Sequence, residues 1–145
     1  MTTARVRVAG FVLVVCGSVL GCSSAVGTPP PTADPSAGPL ALYQATEGGF
    51  SAMLEARLIL EDGCLYLTDE ASRWLALWPS PGTSWEGDGV AIKGARVAVG
   101  STAIFGGGET EINEEAVAAR EWVATPDPRC LVDKAWWILG ADPTS

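Results

Sequence analysis

The sequence predicts a mainly β fold, a small and partly open β-barrel with at most one helix. Residues 53–60 alternate between apolar and polar side chains, as a half-buried strand does. Asp62 and Gly63 follow, and this pair is the strongest short hairpin signal. Short apolar runs separated by glycine and proline then recur along the chain, which is typical of antiparallel β domains.

The hairpin opens a predicted meander of short strands. Further strands are expected at residues 64–68, 73–78, 90–92 and 96–99. The turns between them are expected at residues 69–72, 79–82 and 93–94, where Asp, Ser, Pro and Gly are concentrated. The three glycines at residues 106–108 are expected to end the meander as a tight turn or a bulge.

One helix is expected after the meander. Asn113 can cap it, and Glu114 and Glu115 stand where the helix dipole favours negative charge. Residues 116–123 are good helix formers, and a proline-containing stretch ends the pattern. One or two last strands are expected at residues 130–131 and 135–139. A meander with a closing strand predicts an OB-like barrel.

The first 21 residues have the pattern of a bacterial lipoprotein signal. Arg5 and Arg7 precede an apolar stretch, and Gly21 comes directly before Cys22. We therefore expect residues 1–21 to be removed and Cys22 to carry lipid, including palmitate, as a diacylglyceryl cysteine. Two or more acyl chains anchor a protein stably, whereas one chain does so only marginally. The expected location is the extracytoplasmic face of the cell membrane.

Two other interpretations of this segment stay open. It could be a transmembrane helix, although glycines interrupt it and its apolar part is shorter than the roughly 20 residues that a bilayer span needs. It could also be an ordinary signal peptide that is cut elsewhere, with Ser24 and Ala25 as the nearest weak site.

Residues 22–39 are predicted to form a disordered tether. They are mostly small, polar or proline residues without apolar periodicity, and Pro29, Pro30 and Pro31 favour an extended polyproline form. At about 3 Å per residue, the tether would hold the domain up to roughly 50 Å from the bilayer. The β-barrel domain is predicted to occupy residues 40–145.

Cys64 and Cys130 are expected to form a disulfide bond. Cys16 would leave with the signal and Cys22 would be lipidated, in a compartment that permits disulfides. Closing a loop of about 65 residues stabilises a domain by roughly 4 kcal/mol in the chain-entropy model. The alternative is two free, buried thiols.

Composition excludes several classes of function. The chain has no histidine, which excludes Ser-His-Asp and Cys-His catalysis and histidine-ligated zinc. We expect no catalytic residue, no cofactor and no metal site, and only oxygen-ligand metals such as calcium stay open. Without Arg5 and Arg7 the chain would carry seven basic and seventeen acidic residues, a net charge of −10. This charge argues against a nucleic-acid partner.

The chain contains six tryptophans, most of which are expected to fill the core. Trp85 stands in a predicted loop bounded by proline and glycine, and it is our candidate for an exposed binding residue. Trp136 and Trp137 are adjacent, so in a strand they point to opposite faces. One of them should face outward unless another element covers it.

Two loops give weaker signals. Glu86 and Asp88, close to Ser84, offer oxygen ligands for calcium or a carboxylate pair for glycoside hydrolysis, but a solvated turn explains them better. The glycines at residues 106–108 could hold an anion through backbone N–H groups. They lack the lysine of a phosphate-binding loop, so a structural role is expected there.

The sequence resembles small uncharacterised actinobacterial lipoproteins and secreted domains. The runs that carry the resemblance are residues 60–67, 77–79, 82–85 and 99–109, with Cys130 and the closing apolar strand. It covers most of residues 58–139 and implies a small β domain without enzymatic activity. The chain departs from it in an alanine- and glutamate-rich segment at residues 112–124.

Together these features predict a membrane-anchored binding module whose partner is a cell-envelope protein or a glycan. The alternatives are a carboxylate-based hydrolase acting on envelope glycans and a structural spacer or accessory subunit. Two carboxylates that converge in a cleft with a raised pKa would favour the hydrolase. An exposed apolar patch would favour the binding module.

Overall fold

A computed structural model describes residues 37–144. The predicted signal, Cys22 and most of the predicted tether lie outside this range. Ala37 is buried, and its carbonyl oxygen accepts a hydrogen bond of 3.2 Å from the amide of Leu40. Ala37, which was expected to belong to the tether, is therefore already part of the packed domain.

Residues 37–144 contain ten strands and one short α-helix. The strands are β1 (Ala41–Gln44), β2 (Ala52–Glu61), β3 (Cys64–Thr68), β4 (Arg73–Ser80), β5 (Thr83–Trp85), β6 (Gly89–Ile92), β7 (Ala95–Ala98), β8 (Thr102–Glu111), β9 (Trp122–Ala124) and β10 (Lys134–Pro143). The helix α1 spans Glu114–Ala118, and a 3₁₀ turn spans Pro128–Cys130.

Five of the strands form a closed barrel, which confirms the predicted fold class. Around the ring the order is β2, β3, β4, β10 and β8, and β8 pairs again with β2. All neighbours are antiparallel except β4 and β10, which run parallel. This strand order, with its one parallel pair, is OB-like. The ring is closed rather than partly open, because β10 pairs with both β8 and β4.

The predicted turns of the meander are present. Asp62 and Gly63 have φ values of 50° and 81°, so both central residues are left-handed, as a tight hairpin turn requires. Lys93 and Gly94, with φ values of 46° and 85°, make the same kind of turn between β6 and β7. The carboxylate of Asp69 accepts hydrogen bonds from the amides of Ala71 and Ser72 at 2.8 and 2.7 Å, which fixes the turn before β4.

The glycines at residues 106–108 do not end the meander. They lie inside β8, which pairs with β2 on one side and β10 on the other. A Cβ atom at Gly107 would overlap the carbonyl oxygen of Trp137 in β10. Glycine is therefore needed here because two strand backbones approach closely, which is a second use of glycine besides turns.

Strand β4 also ends later than predicted, at Ser80 instead of residue 78. β4 continues through Pro79, which is buried and opposite Tyr43 of the parallel strand β1. At this point β4 pairs with β1 alone, so the missing N–H of proline breaks no bond to a second neighbour.

The predicted helix is shorter than the run of helix formers. Asn113 caps it as expected, and its side chain accepts a hydrogen bond of 2.8 Å from the amide of Ala116. The indole N–H of Trp122 donates to the carbonyl oxygen of Val117 at 2.9 Å, and Trp122 enters β9. Tertiary packing of this tryptophan thus overrides helix propensity.

Two apolar cores result from this arrangement. The interior of the barrel contains residues from all five barrel strands, and the small sheet of β5, β6 and β7 adds Val90, Ile92 and Val97 to it. A second core lies outside the ring, where the segment of residues 112–133 covers Tyr66, Leu75 and Leu77 of β3 and β4. We call this segment the cover segment.

The predicted disulfide between Cys64 and Cys130 is present. Its Cα atoms are 5.5 Å apart, and the two cysteines are separated by 66 positions in sequence. The bond joins the start of β3 to the cover segment. The hydroxyl of Tyr66 donates to the carbonyl oxygen of Cys130 at 3.1 Å, so a buried hydrogen bond strengthens the same junction.

We expect Gly107→Ala to lower the free energy of unfolding by about 3 kcal/mol or more, because its methyl group would separate β8 from β10. Gly140→Ala is the matched control, since a Cβ atom at Gly140 in β10 meets nothing within 4 Å. Urea denaturation of both variants measures the difference. Equal stability of the two variants would show that the close approach at Gly107 does not hold the barrel closed.

Candidate functional site

An aromatic groove lies on the outside of the barrel, beside the cover segment. Its volume is about 500 Å³. Its lining includes Tyr43, Gln44, Phe50, Arg120, Glu121 and Trp137. Small-ligand sites usually have volumes of roughly 300–1,000 Å³, so the groove is large enough to hold a ligand.

Trp137 forms the floor of this aromatic groove. Trp122 stacks on it with ring centroids 5.8 Å apart and planes 16° apart, and Tyr43 meets it edge-on at 4.8 Å. The guanidinium carbon of Arg120 lies 4.7 Å from the centre of the Trp137 ring. These contacts leave Trp137 only 8% exposed. A cation placed over an indole ring is attracted by its π-electrons, so Arg120 has a defined position at the groove.

Tyr43 lines the groove as a neutral aromatic side chain. Its hydroxyl donates a hydrogen bond of 2.6 Å to the carbonyl oxygen of Ile138. Burial raises the pKa of Tyr43 to about 12, because the phenolate would be poorly solvated there. Tyr43 therefore offers its ring, rather than a charge, to the groove.

Phe50 forms the outer rim, in the loop between β1 and β2. Its side chain is 49% exposed. The ring lies directly against Gly108 of β8, where a Cβ atom would overlap it. Gly49 packs in the same way against Leu139, with 3.1 Å between its ideal Cβ position and a leucine methyl group. Small residues beneath the loop thus allow an exposed aromatic ring to lie close to the barrel.

The cover segment supplies the other side of the groove. Its strand β9 pairs with β1 so that Trp122 lies opposite Tyr43, and Arg120 and Glu121, which directly precede β9, line the groove together with Tyr43. The disulfide at Cys130 and the buried side chain of Ile112 hold the two ends of the segment against the barrel. The positions of Arg120 and Glu121 therefore depend on the contacts that Ile112 and Cys130 make at the two ends of the cover segment.

Trp85, the predicted exposed binding residue, is neither in a loop nor fully exposed. It lies in β5, is partly buried and packs against the barrel core. The backbone of Gly38 lies against its ring, with 2.6 Å between the ideal Cβ position of Gly38 and Cδ1 of the indole. Trp85 does not line the aromatic groove.

The other tryptophans divide between the two cores. Trp74, Trp78 and Trp136 lie in the barrel interior. Trp137 points the other way and would face solvent, but Trp122 of the cover segment packs on it. As expected, Trp136 and Trp137 point to opposite faces, and the outward-facing Trp137 is covered by another element.

The carboxylates of Glu86 and Asp88 share one arginine. Glu86 and Asp88 both pair with Arg96, and the Arg96 to Glu86 distance is 3.0 Å. Within residues 37–144 there is no cluster of three or more potential metal ligands. In the same part of the chain, no helix is long and apolar enough to cross a membrane.

Two carboxyl groups elsewhere have lowered pKa values. The indole N–H of Trp74 donates to Glu109 at 2.6 Å, and together with Lys134 it lowers the pKa of that carboxyl. Arg129 donates from its side chain and its backbone amide to Asp127 and lowers the pKa of Asp127 to about 2. Both groups are therefore charged at neutral pH and act as acceptors.

The chain was compared with known proteins in three ways. No model of a protein family matches it. No curated protein matches it. No solved structure matches it.

Tyr43 gives a test of the groove through pH. The pKa of its phenol is raised above the ordinary value of 10, so its contribution to stability is complete below pH 10 and is lost as the pH rises to about 12. An ultraviolet titration should show a phenol ionisation near pH 12 that Tyr43→Phe removes. Identical titration curves of the wild type and Tyr43→Phe near pH 12 would contradict the burial of Tyr43.

Proposed function

We propose that the chain is a lipid-anchored binding module of the cell envelope and that the aromatic groove is its binding site. The observation that carries the proposal is the groove itself, which is lined by the exposed ring of Phe50 together with Tyr43, Trp137 and Arg120. Aromatic rings and arginine are the side chains that most often supply binding energy at recognition sites.

The charges around the groove also support binding. Within residues 37–144, neither Arg120 nor Glu121 takes part in an ion pair of 4.0 Å or less. Both side chains are exposed at the groove and keep their hydrogen-bonding groups free for a ligand. By contrast, Arg73, Arg96 and Arg129 are each paired with a carboxylate.

A carboxylate-based hydrolase is less well supported. Such an enzyme needs one carboxylic acid with a raised pKa to protonate the leaving group. The shifted carboxyl groups, Glu109 and Asp127, have lowered pKa values. Glu86 and Asp88 share one arginine in an exposed turn, where water would screen them. We therefore propose binding without catalysis.

The proposed location rests on the N-terminal sequence. Two arginines, an apolar stretch and the pair Gly21 and Cys22 support cleavage before Cys22 and lipid attachment to it. The acidic composition supports a partner other than the anionic lipid surface, which would repel the protein body. A protein or a glycan of the envelope is the partner that fits both the lipid anchor and the acidic composition.

The lipid anchor is tested by Cys22→Ala. This variant should leave the membrane fraction or keep its first 21 residues, because residue 22 no longer has a thiol to accept the diacylglyceryl group. Mass spectrometry of the wild-type protein should find the modified Cys22 as its first residue. An unmodified N-terminus at Ser23, Ser24 or any later residue would contradict lipid anchoring.

The binding site is tested by Phe50→Ala in the chain that starts at Ser23, so that no lipid can itself cause sedimentation. Retention on isolated envelope material should fall by about tenfold or more, as expected when an anchoring aromatic side chain is removed. Met53→Ala is the matched control, because Met53 is 63% exposed, belongs to the adjoining strand and does not line the groove.

Thermal melts of both variants check that folding is intact. Equal retention of Phe50→Ala and the wild type would show that the groove does not bind the envelope. Loss of retention in Met53→Ala alone would place the binding surface on β2 instead.

A further inference from the structure

The groove combines aromatic rings with planar hydrogen-bonding groups. Arg120 has a guanidinium, Glu121 a carboxylate and Gln44 an amide, and all three groups can form paired hydrogen bonds. The amide nitrogen of Gln44 has a single long contact of 3.5 Å to the carbonyl oxygen of Ser80. These groups can therefore donate to and accept from a ligand with several hydroxyls.

The charges in the groove balance. Arg120 and Glu121 are the two ionic side chains that line it, and they have opposite signs. Around them the chain is acidic, with seventeen acidic against nine basic residues. An anionic polymer would be repelled by this surface, and a cationic ligand would meet Arg120. An uncharged ligand has neither disadvantage.

The rings of the groove suit a ligand with flat apolar faces. The exposed ring of Phe50 lines the groove, and Tyr43, which also lines it, packs edge-on against Trp137. A pyranose ring has C–H groups on its faces and hydroxyls around its edge, so it can stack on a ring while its hydroxyls reach planar polar side chains. A volume of about 500 Å³ has room for more than one such ring.

A peptide fits the groove less well. A peptide that adds to a sheet needs a free strand edge, but at Leu42 and Tyr43 both edges of β1 are taken, by β4 and by β9. A peptide that inserts an apolar anchor needs a deep pocket, but the floor residue Trp137 is only 8% exposed because Trp122, Tyr43 and Arg120 surround it.

From these observations we propose that the ligand of the groove is an uncharged oligosaccharide. This inference rests on the proposed function of the groove as a binding site. One sugar ring stacks on Phe50 beside Tyr43, and its hydroxyls bind Arg120, Glu121 and Gln44.

The test is calorimetric titration of the full chain in a non-glycosidic detergent with four probes. Two of the probes, N-acetylchitotetraose and cellotetraose, are uncharged tetrasaccharides. The third is the anionic tetrasaccharide tetragalacturonate, and the fourth is a decapeptide that contains leucine and tryptophan. An uncharged tetrasaccharide should bind, and its affinity should be the same at low and high salt because no net charge is neutralised.

Arg120→Ala should weaken the binding of that tetrasaccharide by about tenfold, since hydrogen bonds to a charged group are lost. Arg57→Ala is the matched control and should bind as the wild type does. Like Arg120, Arg57 has no ion pair of 4.0 Å or less among residues 37–144, but it lies away from the groove.

Binding of tetragalacturonate alone or of the peptide alone would overturn the inference. If that binding also depended on Phe50, the proposed function of the groove would stand. Failure of both uncharged tetrasaccharides to bind would likewise overturn the inference, and envelope retention independent of Phe50 would remove the proposed function as well. An equal affinity of Arg120→Ala and the wild type would overturn the assignment of the ligand to this groove.

Discussion

The close approach of β8 and β10 is the constraint on which the rest of the structure depends. At Gly107 no side chain fits between the two strand backbones, because a Cβ atom would overlap the carbonyl oxygen of Trp137. With β10 held there, its other edge pairs in parallel with β4 and the five-strand ring closes. Closure removes the free edges of these strands and gives one enclosed core. It also fixes Trp136 toward that interior and Trp137 toward the outside.

The outward position of Trp137 explains the second layer of the molecule. A large indole on the outer wall needs cover, and the cover segment of residues 112–133 supplies Trp122 for this purpose. In OB folds the face of the second and third barrel strands commonly binds ligands. Here Tyr66, Leu75 and Leu77 of that face are buried beneath the cover segment, which the disulfide at Cys130 fastens in place. The aromatic groove lies at the margin of this cover, between the segment and β1. The burial of this face and the open groove beside it thus have one cause.

Patterns among neighbouring residues made the fold class and the first half of the β-barrel predictable. The alternation before Asp62 and Gly63 and the turns at Asp69 and Lys93 are signals carried by neighbouring residues, and the disulfide followed from the number of cysteines. The groove could not be predicted in this way. Tyr43, Phe50, Arg120 and Trp137 come from four separate segments, and only long-range pairing brings them together. The strand role of Gly107 was hidden for the same reason, because glycine marks both turns and close backbone contacts. For Trp85 the loop composition suggested exposure, whereas packing against Gly38 half-buries it.

The most direct test of this account maps ligand contacts on the folded domain by nuclear magnetic resonance. Isotope-labelled protein from Ser23 onward would be titrated with soluble fragments released from the envelope. Shifts are expected to concentrate at Phe50, Arg120 and Glu121 and at the indole of Trp137, with the signals of Trp85 and Arg96 unchanged. Shifts centred on Trp85 or on the loop of Glu86 and Asp88 would contradict the assignment of binding to the aromatic groove, because they would place recognition on the small sheet instead.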